Sequence, residues 1–159
     1  MDRALSEPAG PRPLEPLYFE DLEPGFEYVT QSRTVTEADI VSFACLSGDF
    51  NPLHVDAEFA RETVFGERIA HGLLGLSIAS GLTSRTGMLE GTTVAFLGLQ
   101  WRFKGAITIG DTITVRSRVA SKRETSKPDR GLVTIASEVV NQRGEVVQEG
   151  EKTLLVKRR

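Results

Sequence analysis

The spacing of apolar residues changes once along the chain, from helical in the first half to alternating in the second. Near the N-terminus, Tyr28, Val29, Thr30, Thr34 and Val35 fall in one β-rich stretch, so a first strand is expected over 26–35. Thr36 followed by Asp39 approximates a capping box. Beyond it, Ile40, Phe43, Ala44 and Ser47 keep the i, i+3, i+4, i+7 spacing of an amphipathic helix. Gly48 supplies the stop, because glycine tolerates the left-handed conformation that ends helices. Asn51-Pro52 predicts a turn, after which an extended segment would aim His54 away from Leu53 and Val55. Asp56 can cap a short helix over 57–63, with Phe59 and Ala60 packing inward.

From His71 to about Ser84 the chain is helical in pattern but apolar nearly all round, the mark of a buried helix. Gly75 sits inside it at a cost of ~1 kcal/mol relative to alanine, so another group must approach closely there. After 87–91 the period becomes two. Strands are expected over 92–104, 112–119, 132–140 and 145–156, with a slip at Phe96-Leu97 that implies a bulge. Gly110-Asp111 and Asn141-Gln142-Arg143-Gly144 read as turns, and 121–130 as a polar loop. This order predicts an α+β fold, an antiparallel sheet wrapped around one long buried helix. Such a sheet has open edges, so a homodimer that extends it is expected. Residues 1–17 hold Pro8, Pro11, Pro13 and Pro16 and few large apolar side chains. They read as a disordered or extended N-terminal segment before one domain over 18–159.

Composition narrows the function. A net charge of −3, with no basic stripe and no zinc spacing, gives no reason to expect a nucleic-acid partner. No apolar run is long enough for a membrane span, no secretory signal is legible, and the single Cys45 cannot form an intrachain disulfide. A cytoplasmic setting is the expectation.

The candidate chemistry gathers in one loop and the helix that follows it. The loop reads Ser47-Gly48-Asp49-Phe50-Asn51-Pro52-Leu53-His54-Val55-Asp56, and the start of the helical stretch reads Ile69-Ala70-His71-Gly72-Leu73. The chain has two histidines, His54 and His71, and both fall here. A carboxylate and an imidazole placed by one tight loop can share a water, the minimum for adding or removing water by acid–base catalysis. Asp49 and Asn51 also suit a turn with no chemistry. His71, among Ile69, Ala70 and Leu73, reads as a core histidine that positions its neighbours. Asp49, His54 and Asp56 form a poor metal set with one histidine, so no metal and no cofactor are expected.

These two stretches resemble the hydratase 2 motif of MaoC-like dehydratases, a family that includes (R)-specific enoyl-CoA hydratases. The similarity runs from about Tyr18 to Val156 and includes the Ile109-Gly110-Asp111-Thr112 turn. The resemblance implies a hot-dog fold and reversible syn addition of water to a trans-2-enoyl thioester, carried by CoA or acyl carrier protein. It implies Asp49 and His54 as the catalytic dyad and the backbone N–H of Gly72 as the oxyanion donor. It gives supporting places to Asn51, His71 and Ser80. Arg85, Arg102, Lys104, Lys122 and Arg123 are candidates for phosphate contact. Two other readings compete: a hot-dog thioesterase, which directs water to the carbonyl, and a non-catalytic acyl-thioester-binding subunit.

Overall fold

The computed structural model describes residues 15–159. The expected N-terminal segment lies outside the described residues except for 15–17, where the Leu17 N–H donates to the Met88 carbonyl at 2.6 Å. A turn of 3₁₀ helix at Phe19–Asp21 leads into β1 (Glu27–Val29) and β2 (Arg33–Thr34). The single strand expected over 26–35 is thus broken in two. Thr30 causes the break: its hydroxyl accepts from the Val115 N–H (3.0 Å) and donates to the Gln31 carbonyl (2.8 Å). Helix α1 spans Glu37–Ser47, with the Thr36–Asp39 capping box formed and Gly48 left-handed at φ 77°. The next segment is helical, not extended. Asn51 caps α2 (Pro52–Val55), Asp56 caps α3 (Ala57–Arg61), and α4 runs from Gly72 to Ser84. Ala60 is buried as expected, but Phe59 is exposed.

Strands β3 (Thr93–Phe103), β4 (Thr112–Glu124), β5 (Arg130–Val140) and β6 (Val146–Lys157) complete an antiparallel sheet in the order β1-β4-β5-β6-β3, with β2 also on β4. β4 continues through 120–124, so the polar loop shrinks to 125–129. β3 carries register shifts at Thr93/Ala95 and at Phe96/Gly98, the second at the expected slip.

The sheet curls against α4, which buries Leu74, Ile78, Ala79 and Leu82 against Val115, Val139 and Val147. Full burial of each large apolar side chain contributes roughly 1.5–3 kcal/mol. The helix is not buried on every side: Leu73 is 59% exposed, and its remaining apolar surface faces cavities. At Gly75 a Cβ would overlap the Gln148 amide and Ile107, which is why glycine stands inside the helix. A second cluster, built on Phe19, Leu22, Val119, Val133, Ile135, Leu154 and Val156, closes the other end of the sheet. This is the α+β hot-dog arrangement, with the N-terminus of the wrapped helix opening beside the histidine loop.

Candidate active site

Local backbone chemistry shapes the loop. The Asp49 N–H donates to Ser47 Oγ (3.2 Å), and Asp49 Oδ1 accepts from the Asn51 N–H (3.2 Å). Asn51 Oδ1 accepts from the Leu53 N–H (3.1 Å), so its side chain braces the start of α2. One turn of helix then carries His54 inward, where it is buried. Its Nδ1 lies 2.7 Å from the Ile69 carbonyl. A carbonyl only accepts, so Nδ1 carries the hydrogen, and in the neutral ring Nε2 keeps a bare lone pair.

His71 is the N-cap residue of α4 and is also buried. Its Nε2–H donates to the Asp49 backbone carbonyl at 2.9 Å. Its Nδ1 is buried without a partner among the described residues. The two imidazoles stack with centroids 3.8 Å apart and planes 30° from parallel, and the Phe43 ring lies against His71 at 5.0 Å, tilted by 56°. The Asp49 carboxylate and one nitrogen from each histidine lie within 4.8 Å of one another. His71 thus supplies a second imidazole that the Asp49, His54 and Asp56 set lacks. Each ring spends one nitrogen on a backbone carbonyl, which leaves one nitrogen of each free among the described residues.

Gly72 is the first residue of α4, where helix geometry leaves the N–H without an intrahelical acceptor and the dipole favours negative charge. It lines a cavity of about 460 Å³ together with His54, Leu73, Phe103, Lys104 and Gln148. A Cβ on Gly72 would meet the Phe103 ring at 2.8 Å, so the missing side chain lets the ring close over the helix start. Ser80 does not line this cavity. It faces a neighbouring one two turns further along α4.

Gln148 lies outside the two motif stretches. It is buried on β6, donates from Nε2 to the Gly72 carbonyl (3.0 Å) and accepts from Trp101 Nε1 (3.0 Å). Its signal was faint: a polar residue at an inward position of an alternating strand. The phosphate candidates separate. Lys122 is engaged by Glu23 and by the Phe19 and Glu20 carbonyls, whereas Lys104 lines the His54 cavity and pairs with Glu149 at 3.3 Å.

Residues 21–141 match the family described as "MaoC like domain". The chain belongs to the MaoC-like domain family. Among its relatives, the (R)-specific enoyl-CoA hydratase of Rhodospirillum rubrum is 36% identical over 139 residues, covering 87% of this chain and 91% of that protein. Protein MaoC of Klebsiella aerogenes is 45% identical over 114 residues, covering 71% of this chain but 33% of that longer protein. A solved structure titled monoamine oxidase regulatory protein from Archaeoglobus fulgius superposes with a TM-score of 0.85 at 41% identity, covering 91% of this chain and 96% of that one. As a MaoC-like domain, the chain holds its loop and helix start on the hot-dog scaffold of these neighbours. No helix among the described residues is long and apolar enough to cross a membrane.

Proposed function

We propose that this MaoC-like protein hydrates trans-2-enoyl thioesters reversibly to (R)-3-hydroxyacyl thioesters. The observation that carries this reading is the Nδ1–H of His54 held on the Ile69 carbonyl, which leaves Nε2 as a proton acceptor on a ring that has a nitrogen within 4.8 Å of the Asp49 carboxylate. Water is held between these two groups. Its oxygen bonds to the β-carbon while one of its protons passes to His54 Nε2. The electron pair of the double bond moves toward the thioester carbonyl, whose developing negative charge is met by the Gly72 N–H at the start of α4. The imidazolium then returns its proton to the α-carbon from the same side, and the carbonyl reforms. Every atom of the water ends on the substrate, and addition is syn. Asp49 orients the water through its second hydrogen, and His71 and Asn51 hold the Asp49 loop.

The relatives named (R)-specific enoyl-CoA hydratase and 3-hydroxybutyryl-CoA dehydratase support the same reaction class. Lys104, at the cavity, suits the phosphates of CoA or of a carrier-protein arm. The working form is a homodimer: β3 is a long edge strand with Phe96 and Leu97 about half exposed, a surface that pairing with a second copy would cover. Crotonyl-CoA tests the reading. Loss of enoyl absorbance without release of free thiol is expected; thiol release without hydration would make the protein a thioesterase instead.

A further inference from the structure

Lys152 lies on β6 four residues beyond Gln148, at an inward-facing position. It lines two cavities between α4 and the sheet, of about 320 and 650 Å³, which also share Ser80, Thr83 and Phe96. Among the described residues its ammonium has no hydrogen-bond or ion-pair partner, although Arg85 and Glu90 line the wider cavity. Burial alone lowers its ammonium to about 8. Lys152 is partly buried, and a cation partly withdrawn from water is favoured by an anionic partner.

The cavities in front of Lys152 neighbour the one at Gly72, along the same helix and the same strand, with Gln148 and Trp101 between them. At one end Gln148 bonds the Gly72 carbonyl; at the other Lys152 shares its cavities with Ser80 and Thr83. Gly72 to Ser80 spans ~12 Å along the helix, and Gln148 to Lys152 spans ~13 Å along the strand. The two elements therefore run side by side from the site to the ammonium. Between them, Trp101 occupies the side-chain space that Gly150 leaves empty and donates to Gln148. Leu76, Leu99 and Trp101 give the smaller of the two Lys152 cavities an apolar lining, and Ser80 and Thr83 line it together with Lys152.

We infer that Lys152 is a specificity-determining residue that selects acyl thioesters whose far end carries a carboxylate, the monothioesters of dicarboxylic acids. The inference rests on the hydratase reading for the placement of the thioester at Gly72. An apolar chain reaching these cavities would lie against Leu76, Leu99 and Trp101 and leave the ammonium unpaired. A terminal carboxylate would pair with the ammonium and take hydrogen bonds from Ser80 or Thr83.

The test is binding of unreactive saturated thioesters to the full chain by calorimetry: succinyl-, adipoyl- and suberoyl-CoA against butyryl-, hexanoyl- and octanoyl-CoA. At least one carboxylate-ended chain should bind tighter than its methyl-ended counterpart by about tenfold or more, as a desolvated charge-assisted pair implies. Lys152→Met should remove that ratio while leaving the methyl-ended affinity within about threefold. Lys152→Arg, which keeps the charge, should retain part of it. Equal affinities in the wild type, or a preference that survives Lys152→Met, would overturn the assignment. Failure of the hydratase reading would show separately, as no hydration of any enoyl thioester, because the binding ratio needs no turnover.

Discussion

The rings of His54 and His71 stack 3.8 Å apart, yet each is tied by one nitrogen to a different backbone carbonyl, Ile69 for His54 and Asp49 for His71. The pair thereby locks the start of α4 to the Asp49 loop. His71→Ala would release the Asp49 carbonyl and one face of His54. A displacement of about 1 Å in a proton-handling pair costs on the order of 100-fold in rate. Steady-state kinetics should show that loss mainly in kcat, and His71→Gln, which keeps an N–H donor, should recover part of it.

Gly75→Ala sets two effects against each other. Alanine favours the helix by ~1 kcal/mol, but its Cβ would overlap the Gln148 amide and Ile107. Overpacking of this kind costs about 1–3 kcal/mol. Both neighbours are held, Gln148 by two hydrogen bonds and Ile107 in the core, so the overlap wins. Urea denaturation should show a net loss of stability, with activity reduced because Gln148 also holds Gly72.

Asp111 gives a pH signature. Burial raises its pKa, but the Thr108 N–H, Gln142 and Arg143 outweigh burial and hold the carboxyl below its ordinary value. A group depressed in the folded state contributes stability that is fully present above its unfolded pKa, about 4, and is lost as pH falls through the lower folded value. Asp111→Asn should therefore cost about 2 kcal/mol at neutral pH. Measured across pH by chemical denaturation, the gap between wild type and variant should shrink below about pH 4.

The exposed edge of β3 predicts self-association. Light scattering should report a dimer, and Leu97→Glu should weaken it by on the order of 2 kcal/mol if this residue is central to the interface. Leu97 lies outside the two cavities at Lys152, so the substitution separates assembly from substrate fit.

Much of this was legible from local chemistry. The limits of α1 follow from Thr36, Asp39 and Gly48, each of which acts on the backbone within a few residues of itself. The β3 bulge showed in the broken alternation at Phe96-Leu97, and the close approach at Gly75 in the presence of a glycine inside an apolar helix. The helical placement of His54 was not legible, because α2 is too short to display a period. Neither was the division of the first strand, which depends on Thr30 bonding β4 from far along the chain. The histidine stack, the strand order with β3 beside β6, and the bridge from Trp101 through Gln148 to Gly72 all join residues distant in sequence. Only the folded sheet brings them together.

The central claim is that His54 Nε2 moves the proton in hydration. The most direct test is the rate of crotonyl-CoA hydration by His54→Ala beside the wild type, with circular dichroism confirming an intact fold. Loss of a positioned acid–base group predicts a fall in kcat of about 100- to 10,000-fold. A variant that stays folded and hydrates crotonyl-CoA at the wild-type rate would contradict the account.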